Sequence, residues 1–385
     1  MKNFILYLTF LLTSILSPEL SAQYQHVKNI DWNIAATIPP APGQTTAKGL
    51  AGAISDVDHH ILLIAGGTNF PNEMPWNGGK KKYYDDVFLY QKTNSGLLLI
   101  STEKNLKLPF NLAYSAVCST PYGIVAAGGE NENGLSKKVL LLSPKANEME
   151  INFLPDLPTG LTNGALTILG DVIYLAGGEV ESGATDQFLS LDLKKRQEGW
   201  KRMINLPQAV SHTVLLHSEN SREIFLVGGR KRNPGDTSTL YKNVFAFNLE
   251  EQTWRAKASL PYTLSAASGI TIGKDLFVFS GDLGETFHQA EKLIAAIDKE
   301  QDSIKKEQLS QQKIKLQSNH PGFSKSVLKY SFEKNTWSTL KGSMPYGTVT
   351  TNAVRLENEI IIAGGEIKAG VRTPNILLGK LKSNK

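Results

Sequence analysis

The sequence predicts an all-β fold, a six-bladed β-propeller with a helical insertion in the fifth blade, and three observations carry that prediction. Apolar runs closing on a glycine pair or near-pair recur: ILLIAGG, GIVAAGG, VIYLAGG, EIFLVGG, LFVFSGD and IIIAGGE. The first residues of the closing pairs are Gly66, Gly128, Gly177, Gly228, Ser280 and Gly364, spaced 62, 49, 51, 52 and 84 residues apart; a repeat of about 50 residues is blade-sized. The segment from Leu206 to Leu260 contains a Leu-Pro turn and four strand-like stretches, the content of one blade. Finally, the two chain ends carry complementary fragments of one unit.

The elements follow in chain order. Residues 1–22, MKNFILYLTFLLTSILSPELSA, combine a basic start at Lys2, an apolar run and small residues at Ser21 and Ala22. This is the pattern of a cleavable secretory leader, and it is too short to span a bilayer. The propeller is expected over 23–385. Trp32 in IDWNIAATIPP marks a fourth strand, at about 28–36, with no blade before it. Trp200, Trp254 and Trp337 mark the same position in later blades, whereas the first two blades lack it. IIIAGGE and NILLGKL at the C-terminus supply second and third strands without a fourth. Joining the ends completes a sixth blade and removes two exposed sheet edges. The long final spacing is filled by ETFHQAEKLIAAIDKEQDSIKKEQLSQQKIKL, within an insertion at 286–320. It reads as helix, with Thr286 and Gln289 placed as a capping box and Leu293, Ile297 and Ile304 on one side.

Composition narrows the function. The chain has 385 residues, 41% hydrophobic and 20% charged, enough apolar content for a packed core. A net charge of +5, spread along the chain, marks no nucleic-acid partner, and no later segment could span a membrane. The lone cysteine, Cys118, excludes an intramolecular disulfide and reads as a buried thiol in an alternating strand.

Strand direction sends the residue after each glycine pair to one mouth of the ring: Thr68, Glu130, Glu179, Arg230, Asp282 and Glu366. Loops containing Asn163, His212 and Asn352 join them. Two loops depart from the repeat. One, GGTNFPNEMPWNGGKKKYYDDVFLY, holds Asn69 and three consecutive lysines followed by tyrosines; the other, GGEIKAGVRT, sets Glu366 six residues before Arg372.

The repeat pattern resembles the kelch repeat. The two loops together resemble the N-acetylneuraminate epimerases, sialic acid mutarotases exported to the bacterial periplasm, in which a GE-x-K-x-G-x-RT loop carries the catalytic Glu and an Arg. Here those positions are Glu366 and Arg372. The Glu/Arg loop ends this chain and the lysine-rich loop begins it, so the sequence resembles a cyclically permuted branch. A closed ring tolerates such a cut because neighbouring blades stay neighbours.

The resemblance implies ring opening of a keto-acid sugar by proton transfer, with no metal or other cofactor and a small-molecule sugar as partner. Glu366 is expected to accept the anomeric hydroxyl proton. Arg372 is expected to hold the substrate carboxylate bidentately and to favour ionised Glu366. Lys82, Tyr84, His212 and His320 are candidates for the returning acid, and Asn69, Lys81 and Arg230 complete the expected substrate-binding set. Three other readings compete. SGDLGETF, residues 280–287, matches a sialidase Asp box once, but follows a second strand instead of joining the third to the fourth. A copper oxidase of galactose-oxidase type needs a cysteine-modified tyrosine that Cys118 is poorly placed to supply. A secreted binding module would share the repeats but leave Glu366 and Arg372 unexplained.

Overall fold

The computed structural model describes residues 27–41, 44–94, 96–101, 106–145, 148–218 and 221–383. The expected leader lies outside them. Six four-stranded antiparallel sheets form a ring. Blade one comprises Ile54–Asp58, Ile61–Ala65, Val87–Thr93 and Gly96–Leu99, and blades two to five repeat the order through to Thr339. Blade six takes Ala353–Leu356, Glu359–Ala363 and Asn375–Ser383 from the C-terminal end and Val27–Thr37 from the N-terminal end. Each innermost strand touches the innermost strands of both neighbours, so the ring is closed.

The core is divided between blades. Each of six buried apolar clusters is drawn mainly from two adjacent sheets; one joins Val125, Leu141 and Leu154 of blade two to Ile173, Leu175 and Leu191 of blade three. Second strands such as Gly123–Ala127 and Glu359–Ala363 are buried along their whole length, because a central strand is covered on both faces. Fully burying one such Leu or Ile stabilises the fold by about 1.5–3 kcal/mol. Two blade tryptophans stitch neighbours together: Trp200 Nε1 donates to Pro155 O (2.9 Å) and Trp337 Nε1 to Ala258 O (2.8 Å), each carbonyl lying just past the preceding blade's outer strand, whereas Trp254 Nε1 makes no such bond. Trp200 stands one residue before its short outer strand, Lys201–Arg202, rather than within it.

The insertion leaves blade five between its second and third strands. It is two helices, α1 (Glu285–Lys299) and α2 (Ser303–Ser318), packed on each other. The expected capping box is absent: α1 begins one residue before Thr286, after Gly284 in a left-handed conformation, with no side-chain cap. Asp302 caps α2 through Ile304 N and Lys305 N. Ile304, expected on the packed side, is 70% exposed because the break at 300–302 turns it outward. No helix among the described residues is long and apolar enough to cross a membrane.

The chain enters the channel once per blade through a left-handed residue: Gly52, Tyr114, Asn163, His212, Ala266 and Thr350, all with φ between 53° and 64°. Backbone hydrogen bonds run from one to the next, as from Tyr114 N to Gly52 O (2.7 Å) and from His212 N to Asn163 O (3.0 Å). This collar lies between an upper cavity of about 370 Å³ and a lower one of about 380 Å³. Asn352, expected at the upper mouth, lies below the collar and donates to Ser55 O, because the blade-six collar residue is Thr350.

The lower cavity holds Asp56 and Cys118. Burial pushes the Asp56 carboxyl from 3.8 up to about 7, against the lowering effect of the Val57 and Ser119 amides, and pushes the Cys118 thiol well up. The folded protein therefore keeps a proton on Asp56 that the unfolded chain releases between those two pH values. Stability falls as pH rises through this window. Asp56→Asn is expected to raise the melting temperature at about pH 8 by ~2–4 °C and to flatten its pH dependence, which thermal melts across the window check.

Candidate active site

Six equivalent positions surround the upper mouth and five of them line its cavity; Thr68, expected there too, is fully buried and its hydroxyl donates to Lys82 O. Thr68, Glu130, Glu179, Arg230, Asp282 and Glu366 each form a β-bridge to the residue preceding a collar position. In five blades a short ribbon rises from that position; in blade five the helical hairpin takes its place. The glycine pairs make the arrangement possible. Gly364 and Gly365 have φ of 66° and 92°, and a Cβ on Gly365 would stand 2.2 Å from Thr348 Oγ1.

Glu366 and Arg372 face each other across the blade-six ribbon. Arg372 Nη2 donates to Glu366 Oε2 (3.0 Å), and Gly370 N donates to Glu366 Oε1 (3.0 Å). The pair is asymmetric. Glu366 is 19% exposed and lines the cavity, whereas Arg372 is 4% exposed, has its guanidinium carbon 4.7 Å from the Phe70 ring centre, and has Nε and Nη1 enclosed without partners. Arg372 therefore backs Glu366 rather than reaching into the cavity. Burial raises the Glu366 carboxyl above its ordinary value of 4.5, with Arg372 the strongest opposing influence. The expectation that Arg372 would favour the ionised form gives its direction correctly, but burial outweighs it.

The lysine-rich loop meets this ribbon as expected of a closed ring, and alternation sorts its side chains. Lys81 and Tyr83 point inward: Lys81 Nζ (2.9 Å) and Tyr83 OH (2.7 Å) both donate to Glu130 Oε1. Lys82 and Tyr84 point the other way. Tyr84 OH donates to Asn69 Oδ1 (2.8 Å) in a packed cluster where Asn69 Nδ2 reaches Gly49 O, and Lys82 lies over the Tyr84 ring. Asn69, Lys82 and Tyr84 therefore stand outside the cavity, a correction to the expected binding set.

Blade four supplies the opposite wall. Burial and the charges of Arg230 and Arg232 hold the His212 imidazole well below 6.5, so it is neutral. Its Nε2 accepts from Arg230 Nη2 (3.1 Å), which leaves the proton on Nδ1 for Ser211 Oγ (2.9 Å); Ser211 in turn donates to Glu179 Oε1 (2.9 Å). The helical hairpin roofs this wall. Phe287 of α1 covers the Arg230 guanidinium at 4.7 Å, and Glu291 fastens the helix through Ser238 N (2.8 Å) and Ser238 Oγ (2.6 Å). His320, just past α2, lines the cavity; its Nδ1 accepts from Gly322 N (2.9 Å).

Lys81, His212, Arg230, His320 and Glu366 thus converge on one cavity. Tyr114 joins them unforeseen. Its phenol lies close enough to Arg372 and Glu366 to feel both charges, and burial pushes it up to about 12. Aligning the collar positions would have found it, since Tyr114 occupies the same place in its blade as His212. Among the described residues no three His, Cys, Asp or Glu side chains gather to hold a metal ion. SGDLGETF runs from the end of a second strand into α1, away from the third-to-fourth-strand turn.

The sequence profile of N-acetylneuraminate epimerase matches residues 154–385, which include Glu366 and Arg372. The chain belongs to the N-acetylneuraminate epimerase family. It is similar to the N-acetylneuraminate epimerase of Haemophilus influenzae strain PittEE, 25% identical over 229 residues, 59% of each chain. The Salmonella enteritidis PT4 protein of that name is 27% identical over 227 residues, 57% of this chain and 56% of its own. That of Brucella melitensis biotype 1 is 25% identical over 233 residues, 59% of each. The chain thus spans under two-thirds of the length of the relatives it matches. The family profile begins at the end of blade two's outer strand, where Leu154 closes the sheet.

Proposed function

We propose that the protein interconverts the α and β anomers of N-acetylneuraminate, or of a closely related keto-acid sugar, and that the expected leader delivers it to the periplasm. The observation that carries this reading is the Glu366–Arg372 ribbon on the wall of a sugar-sized cavity, inside the segment matched by the epimerase family. A profile match that starts two blades into a closed ring is also what a collinear comparison returns for a permuted chain.

The chemistry is proton transfer. Ionised Glu366 accepts the proton of the anomeric hydroxyl as the bond between the anomeric carbon and the ring oxygen breaks, and a wall group protonates that oxygen. The open-chain ketone rotates about the bond to its neighbouring carbon. Closure on the other face returns the ring hydroxyl proton to the wall group and the Glu366 proton to the new anomeric oxygen. With Lys82 and Tyr84 turned away, Tyr114 and His320 are the wall groups placed to donate: Tyr114 keeps its proton at neutral pH, and His320 carries its proton on Nε2 because Nδ1 accepts from Gly322. Arg372 keeps Glu366 in place and favours its ionised form against the effect of burial.

Exchange NMR on reducing sugars tests the assignment. Purified protein is expected to accelerate anomer exchange of N-acetylneuraminate and leave neutral aldoses such as glucose at their spontaneous rate; tight binding without acceleration would make this a binding module. The pH profile carries a further prediction. Because the base works ionised and burial raises its pKa, kcat/KM falls with decreasing pH along a limb lying above 4.5. Arg372→Met removes the strongest opposing charge, so that limb moves to still higher pH; a limb that stays in place would separate Arg372 from the titrating group.

A further inference from the structure

The polar groups around the cavity are unevenly matched. Glu366 is held by Arg372 and Gly370, Glu130 by Lys81 and Tyr83, Glu179 by Ser211, and Asp282 Oδ1 by Gly284 N at the start of α1 (2.8 Å). Arg230 differs. Among the described residues no carboxylate lies within 4.0 Å of it, its hydrogen-bonding neighbour is the neutral imidazole of His212, and its Nε is enclosed with no partner. Glu179, Asp282 and Glu291 act on its charge only from beyond contact, and a largely desolvated guanidinium that touches no carboxylate leaves room for an anion to pair with it. Its plane is fixed before any ligand arrives, with Phe287 against one face and the chain His212, Ser211, Glu179 along one edge. Arg232, just past the ribbon strand, also lines the cavity but is exposed, so its charge is better screened by water than that of Arg230.

We infer that Arg230 is the anion anchor of this cavity, the residue that selects a substrate bearing a carboxylate and presents its anomeric carbon to Glu366. The inference rests on the epimerase reading for its reaction, but its ligand chemistry stands on the cavity alone. Arg372, expected in this role, spends Nη2 on Glu366 and is closed off behind it. Arg230 lines the cavity and its charge is felt at the Glu366 carboxyl. In a keto-acid sugar the carboxylate is bonded to the anomeric carbon itself. The anchor and the base must therefore flank one small centre, as blades four and six do here. A planar guanidinium matches both oxygens of a carboxylate, which a neutral ester cannot replace.

The test compares N-acetylneuraminate with its methyl ester, titrated calorimetrically and followed by exchange NMR, on full-length wild type, R230Q and R230K. Wild type is expected to bind the acid about 100-fold more tightly than the ester. R230Q is expected to lose about that factor for the acid, seen mainly in KM, while binding the ester as wild type does. R230K should fall between them, and it carries the test if R230Q does not fold. An R230Q or R230K protein with the wild-type preference for the acid overturns the anchor, as does a wild type without that preference. Wild type that prefers the acid but does not accelerate exchange overturns the epimerase reading and supports the anchor. Wild type that binds neither compound overturns both.

Discussion

Replacing Glu366 by Gln is expected to slow protein-catalysed anomer exchange by about 10²- to 10⁴-fold, the contribution a positioned general base makes. The substitution keeps the size of the side chain and one acceptor for Gly370 N or Arg372 Nη2, but removes the group that takes the proton. Its effect should therefore fall on kcat, with KM for the acid changed little, since the anchoring charge sits on blade four. Exchange NMR at saturating sugar measures it, and a thermal melt separates lost chemistry from lost fold. An E366Q protein with the wild-type rate would refute the assignment of the base, whatever the sugar.

The second large effect concerns closure. Deleting the chain through Thr37 is expected to lower the melting temperature by at least ~10 °C and to abolish activity, because it strips the antiparallel partner from Asn375–Ser383 along its whole length. The lost strand carries Val27 and Ile30 into the core between blades five and six. It also carries Trp32, which meets Phe279 edge-on at 6.0 Å and packs over Gly379. The exposed strand follows Arg372 almost directly in the chain, so damage there reaches the Glu366 ribbon first. A permutant tests the explanation. Linking residue 383 to residue 27 and cutting instead between Lys145 and Glu148, at the outer hairpin of blade two, preserves every sheet. It should melt and turn over like the wild type; a permutant as damaged as the deletion would place the cause outside ring closure.

The ring was legible in the sequence because its signals are local and repeated. Glycine pairs force left-handed backbone at the same point of each blade, and apolar runs mark the buried second strands. The joining of the two ends followed from counting strands. Glu366 was legible because its loop departs from the repeat in type and spacing. The members of the expected set that stand outside the cavity, Asn69, Lys82 and Tyr84, share one cause: a ribbon two residues long turns successive side chains to opposite sides, and its phase depends on the bridge to the neighbouring loop. The depth of Arg372 was hidden because Phe70, which covers it, belongs to a different blade. The break between α1 and α2 rests on the cap formed by Asp302, which a search for one amphipathic helix passes over.

The six bridge positions of the mouth have a consequence for how such a protein diversifies. They share one backbone geometry yet hold threonine, two glutamates that bind side chains, an arginine, an aspartate at a helix start and the glutamate paired with Arg372. All but the buried Thr68 are stations at which a single codon change alters the chemistry presented to the cavity, while the load of folding is carried elsewhere, in the seams between sheets. New ligand preferences can therefore be sampled one station at a time, and a lineage that rewrites several of them would keep its skeleton while drifting beyond recognition in its chemistry.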